Sequence, residues 1–183
     1  VNAPKTYFHV LNRGNQKQTL FYKRDNYLFF LRKLKKYAGL HQIDVIAYCL
    51  MPNHFHLILG AFEIAARSHC MHALQTSYAK AINKQQHRTG HLFQDSYQKI
   101  PVTTSEQMNH LSRYIHLNPL KAGLVTRIGT WPYSSCQEYI GMRNGQLPNS
   151  GIVLTEFTDG AAYLAFLQDQ EQDIMTNTLV GHI

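Results

Sequence analysis

The stretch LMPNHFHLIL, Leu50–Leu59, constrains this chain more than any other. Pro52 and Asn53 are turn formers. On either side lie short apolar runs rich in β-branched residues, IDVIAYCL (Ile43–Leu50) and HFHLILG (His54–Gly60), which read as strands. Side chains of a strand alternate between its faces. His54 and His56 therefore share one face, and Phe55, Leu57 and Leu59 occupy the opposite, core-facing one. Two imidazoles so placed can chelate one divalent ion, from manganese to zinc. A pair of half-buried histidines without a ligand is the commoner meaning of an isolated H-x-H, and a chain with 11 histidines offers many chances for one.

The surrounding pattern supplies the fold. TYFHVLN, Thr6–Asn12, is a strand candidate, and RGNQKQ a loop. Tyr27, Phe30, Leu31, Leu34 and Tyr37 recur at helical spacing, so a helix is expected from about Lys23 to Ala38, with Gly39 as its stop signal. A second helix fits Ile64 to about Gln86, and HLFQDSYQKIPV, His91–Val102, reads as extended. A third helix starts with Thr104 or Ser105 as N-cap and is expected to end at Asn118, before Pro119. The order β-α-β-β-α-β plus a helix is that of an α+β, ferredoxin-like antiparallel sheet. Its third strand should be central, with helices on one face and the other face free. Short helices are expected near Ser134–Ile140 and Ala161–Gln172, on either side of the loop GMRNGQLPNSG. This suggests one domain over 1–143 and a C-terminal tail over 144–183.

Net charge is +7, unevenly spread: residues 1–100 carry +10 and residues 101–183 carry −3. The basic part suits a polyanion such as nucleic acid, or is a solvated surface. After Arg143 there are five acids, Glu156, Asp159, Asp169, Glu171 and Asp173, and no Lys or Arg, so the tail could compete with a polyanion for the basic body. No apolar run reaches the length of a membrane span, and the opening VNAPKTYFHVLNRG lacks the apolar core of a secretory leader. The widely spaced Cys49, Cys70 and Cys136 read as reduced thiols of a cytoplasmic protein. Without G-x-x-x-x-G-K-[ST] no nucleotide cofactor is expected, and without H-E-x-x-H a zinc hydrolase has no support.

A second unusual segment is HLSRYIHLNP, His110–Pro119. Tyr114 and Asn118 are four apart and share a helix face, with His110 one turn back and Leu111 and Ile115 on the adjoining apolar face. Alone, this is also read as structure, with Asn118 closing the last turn.

PNHFHLIL followed by YIHLNPLKAGLV resembles the HUH single-tyrosine transposases of the IS200/IS605 type, and more closely their REP-associated tyrosine transposase branch. The likeness extends to NRGN, GHLFQDSY and WPYSS and covers roughly Thr6–Gly141, leaving out the acidic tail. It implies a ferredoxin-like fold with His54 and His56 as metal ligands on the central strand. It implies Tyr114 as nucleophile and Asn118 as third ligand, where the insertion-sequence branch commonly has Gln. The implied metal is Mg2+ or Mn2+. The implied substrate is single-stranded DNA beside a hairpin of the repetitive extragenic palindrome type, cut through a 5′-phosphotyrosine. The candidate DNA contacts are Arg13, Asn15, Lys17, Lys23 and Arg24 near the first loop, and Arg113 and Lys121 near the tyrosine. Phe93, Tyr97 and Trp131 are stacking candidates, more often core residues. The branch implies a monomer in the bacterial cytoplasm, at the nucleoid. The insertion-sequence alternative implies a dimer that moves its own element, and a third reading is a catalytically idle hairpin-binding protein.

Overall fold

Four antiparallel strands form one sheet in the order β2-β3-β1-β4. The computed structural model describes residues 4–174, with side chains described through Asp169; the end of the tail lies outside the described residues. The strands are β1 (Thr6–Arg13), β2 (Asp44–Met51), β3 (His54–Ala61) and β4 (Gln98–Val102). The helices α1 (Arg24–Leu40) and α2 (Ile64–Gln85) follow β1 and β3, and α3 (Ser105–Lys121) follows β4. Three shorter elements complete the chain: α4 (Cys136–Tyr139), α5 (Gly151–Leu154) and α6 (Gly160–Ile174). The expected ferredoxin-like order is present, and β3 is central, between β2 and β1.

One face of the sheet carries Val10, Tyr48, Leu50, Phe55, Leu57 and Leu59, packed against Phe30 and Leu34 of α1 and Cys70, Leu74 and Tyr78 of α2. The other face is not free, as the ferredoxin-like pattern suggested. Ile46, Ala47, Cys49, Met51 and Ile58 pack there against Met108, Ile115 and Leu117 of α3, with Tyr139, Val153, Tyr163 and Leu167 from the three C-terminal helices. A shift in the β2–β3 register between Val45 and Ala47 places both Ile46 and Ala47 in this second core. Part of the acidic C-terminal segment is therefore structural: Val153, Tyr163 and Leu167 are fully buried. Asp159 caps α6, its carboxylate accepting from Ala162 N at 2.8 Å.

Helix α3 begins as its sequence indicates: Thr104 Oγ1 accepts from Gln107 N at 3.1 Å, and Gln107 Oε1 accepts from Thr103 N at 2.9 Å. It does not stop at Asn118. Pro119 lies inside the helix, which runs to Lys121. Proline removes its own N–H but leaves the following donors intact, and Ala122 N still donates to Asn118 O at 2.9 Å. Gly39 likewise sits inside α1. Residues 91–97 are not part of β4: Asn15 N donates to Leu92 O at 2.9 Å and Gln94 N to Arg13 O at 3.0 Å, so this stretch follows the end of β1.

The β2 edge is covered by the WPYSS segment. Leu50 N donates to Tyr133 O and Ser135 N to Tyr48 O, each at 2.9 Å. Trp131 Nε1 donates to Leu50 O at 2.9 Å, and Tyr133 stacks on Tyr27 with centroids 3.7 Å apart. An edge strand so paired no longer offers a free template to another chain. The three cysteines are buried free thiols.

A buried polar chain ties α6, α3 and this segment together. Tyr163 donates to Ser112 Oγ at 2.9 Å, and His116 lies 2.8 Å from both Tyr163 OH and Ser135 Oγ. A neutral imidazole satisfies both neighbours, one nitrogen donating and the other accepting. Burial pushes the His116 pKa down to about 3. The unfolded chain then binds the proton that the fold refuses between pH 6.5 and 3, so stability present above pH 6.5 is lost as pH falls. At pH 5 the expected loss through His116 is about 2 kcal/mol. Urea unfolding of the wild type and His116→Gln at pH 7.5 and pH 5 checks this: the variant should lose less stability on acidification by about that amount.

Candidate functional site

The alternation of β3 puts His54 and His56 on the α3 face of the sheet. His56 is 1% exposed, and His54 is half-buried. The turn before them is held from outside: Gly14 N donates to Asn53 O, and Leu20 N to Pro52 O, each at 2.8 Å. The NRGN loop can fold this tightly only with glycine at its third position, because a Cβ on Gly14 would lie 2.0 Å from the Gln18 carbonyl oxygen. His54 Nδ1 lies 2.7 Å from Asn53 Oδ1, an acceptor, so that nitrogen carries the hydrogen and Nε2 keeps its lone pair.

Helix α3 lies over these histidines and brings in Tyr114. Its ring centroid is 5.6 Å from that of His56, and the two imidazoles are 5.1 Å apart. The two sequence segments thus meet in space. Asn118 is one turn beyond Tyr114, and its Nδ2 is buried without a hydrogen-bond partner among the described residues. His110 is turned away, lying 3.8 Å from Glu106 and 2.7 Å from an Arg113 guanidinium nitrogen. Lys121 is exposed, with Nζ 5.2 Å from the Tyr114 ring centroid.

A third histidine was not singled out from the sequence. His9 of β1 is 8% exposed, and its Nε2 lies 2.9 Å from His56 Nδ1, the two rings end to end and close to parallel. Its position in an alternating strand was visible, but the β1–β3 register that sets it beside His56 was not. Burial pushes the pKa of His9 and His54 down to about 4, the Arg13 charge adding to the effect at His54. It holds His56 well below the ordinary histidine range, with His54 and His9 as lesser causes. All three are neutral at pH 7.

Arg13 is the cross-strand partner of His54 and donates through Nε to Gln94 Oε1. A cleft of about 250 Å³ opens beside them, its lining including Arg13, His54, Gln94, Gln98 and one acid, Asp95. Lys17, Lys23 and Arg24 are exposed, and Asn15 is half-buried on the same loop. Phe93, Tyr97 and Trp131 pack against the first core. Arg113 does not reach this surface. It is 4% exposed, stacks on Phe166 with its guanidinium carbon 4.2 Å from the ring centroid, and donates to Phe166 O at 3.3 Å. Among the described residues, no group of three or more His, Cys, Asp or Glu side chains could hold a metal ion, and no helix is long and apolar enough to cross a membrane.

The profile of the family described as Transposase IS200 like matches residues 2–118. The chain belongs to this family. A Haemophilus influenzae protein, itself a candidate REP-associated tyrosine transposase, is 27% identical over 131 residues, 66% of this chain and 74% of its own. A solved REP-associated tyrosine transposase, bound to a REP hairpin, has the same fold. The match has a TM-score of 0.62 at 16% identity and covers 81% of this chain and 90% of the other.

Arg113 ties α3 to α6, so Arg113→Met should cost about 1.5–3 kcal/mol through its lost charged hydrogen bonds. Hydrogen exchange should accelerate in α6 before it does in the sheet, as measured amide by amide.

Proposed function

We propose that this protein is a divalent-metal-dependent endonuclease and strand transferase acting on single-stranded DNA beside a REP-type hairpin. The observation that carries the reading is the meeting of His54, His56 and Tyr114 on one face of the sheet, the Tyr114 and His56 centroids 5.6 Å apart. The REP hairpin bound by the solved protein of the same fold supports the choice of substrate. The catalytic residues are taken to lie within residues 1–143, acting as a monomer, with Val153, Tyr163 and Leu167 of the C-terminal segment completing the core beneath the tyrosine helix.

The donor chemistry fits a hard or borderline divalent ion such as Mg2+ or Mn2+. His54 is held with Nε2 free, and both histidines are neutral. The buried end of the Asn118 carboxamide, without a partner among the described residues, would supply an oxygen when the amide is turned over. An ion held by His54, His56 and Asn118 would polarise the non-bridging oxygens of the scissile phosphate.

Tyrosine ordinarily keeps its proton at pH 7 and is then a weak nucleophile. Lys121, 5.2 Å from the Tyr114 ring centroid, places a positive charge beside the phenolic group as it loses that proton. The Tyr114 oxygen attacks phosphorus, the bond from phosphorus to the 3′ oxygen breaks, and that oxygen takes up a proton. The products are a 5′-phosphotyrosine and a free 3′-hydroxyl. Attack of a 3′-hydroxyl on the tyrosine ester reverses the step and rejoins the strand, so no nucleotide cofactor is needed. Arg13 at the cleft, with Asn15, Lys17, Lys23 and Arg24 on the neighbouring loop and helix start, is suited to follow the phosphate backbone.

Tyr114→Phe should keep the fold and hairpin binding and lose the covalent protein–DNA band on a denaturing gel. The double variant His54→Ala, His56→Ala should lose metal-dependent cleavage. An adduct persisting in Tyr114→Phe, mapped to another tyrosine, would sink the assignment. A hairpin with a single-stranded flank should be cut and its fully duplex counterpart left intact. Arg13→Ala should reduce the salt slope of binding by about one, while Arg113→Met leaves it unchanged.

A further inference from the structure

His9 is neither a proposed ligand nor the proposed nucleophile, yet it is in contact with the more deeply buried of the two histidines. Its Nε2 is 2.9 Å from His56 Nδ1, and the two rings lie end to end, 23° from parallel, with centroids 5.2 Å apart. The far side of the site closes around it: its ring meets Tyr114 edge-on, with centroids 6.4 Å apart. On the sheet His9 pairs with Ile58, two residues beyond His56, so its position is set by the β1–β3 ladder and not by a loop.

A hydrogen bond between two neutral imidazoles can run in either direction, and the direction decides what His56 can do. If His9 donates, His56 accepts at Nδ1 and carries its own hydrogen on Nε2, which then has no lone pair for a ligand. If His56 Nδ1–H donates, His9 accepts and His56 Nε2 is free. His54 shows the second arrangement with a partner that leaves no choice, since Asn53 Oδ1 only accepts. With His56 1% exposed, bulk solvent is not at hand to replace a missing acceptor.

We propose that His9 is the positioning residue of His56: it accepts the Nδ1–H, holds that tautomer, and fixes the ring so that Nε2 faces the ion position beside Tyr114. This rests on the ion-binding reading given above. His9 would then do for His56 what an outer carboxylate or carbonyl does for many metal-bound histidines, an interaction whose loss typically weakens metal binding 10–100-fold.

The test uses the full chain and Mn2+ alone, titrated by electron paramagnetic resonance. His9→Phe fills the space without an acceptor and should weaken Mn2+ binding about 10–100-fold. His9→Gln, which offers an oxygen acceptor, should recover much of the loss. Hairpin affinity without divalent ion should be the same in both variants and the wild type. During cleavage, the Mn2+ concentration for half-maximal rate should rise in His9→Phe, with the rate at saturating Mn2+ largely retained. In the Mg2+-loaded wild type, nitrogen NMR should find the His56 hydrogen on Nδ1, with a coupling across the bond to His9 Nε2. This measurement decides the matter even if His9→Phe does not fold. Unchanged Mn2+ affinity in His9→Phe, or a His56 hydrogen on Nε2 in the Mg2+-loaded protein, overturns the role of His9 alone. A wild type that takes up no Mn2+, or a His54→Ala, His56→Ala variant that binds it as tightly, overturns the ion-binding reading and this role with it.

Discussion

The packing of α3 across the histidine face of the sheet is the contact on which the site depends. Ile115 and Leu117 are buried against Ile58, Ala47 and Met51, and each such side chain contributes about 1.5–3 kcal/mol by leaving water. The polar chain through Ser112, His116, Tyr163 and Ser135 fixes how the helix lies on that face. Greasy contacts tolerate sliding, whereas a buried hydrogen bond fails when its partners move apart. Tyr114 and His116 lie on the same helix, so the bonds that lock one also set the distance of the other from His56.

The same packing controls the electrostatics. A ferredoxin-like sheet with an open face would leave His54 and His56 in water near their ordinary pKa. Under α3 they are desolvated, and their lone pairs are unprotonated well below neutral pH. Desolvation also removes the solvent hydrogen bonds of the ring nitrogens, which is why each Nδ1 has a protein partner: Asn53 for His54 and His9 for His56.

Motifs far apart in the chain serve this one corner. NRGN folds over the turn before His54, residues 92–94 pair with the end of β1 and close the cleft wall, and WPYSS seals the β2 edge. Arg143 joins the last of these, donating to Glu138, Pro132 O, Ser134 O and Tyr48 OH. The last helix is linked to the tyrosine helix through Tyr163 on His116 and Phe166 on Arg113.

Strand and helix periods are local properties of a sequence, and what rests on them was legible. The shared face of His54 and His56, the shared face of Tyr114 and Asn118, and the order of the first four strands and two helices all follow from spacing. The family motifs added which two faces should meet. What tertiary structure alone decided involves residues distant in sequence. The second sheet face is covered because Val153, Tyr163 and Leu167 return to it from the C-terminal segment. Arg113 read as a DNA contact because a basic residue beside the tyrosine is exposed by default, and only α6 packing turns it inward. Pro119 read as a helix end because the local rule weighs one lost bond, whereas packing holds the last turn in place. His9 reaches His56 only through a ladder joining strands more than forty residues apart, and no local period specifies a register.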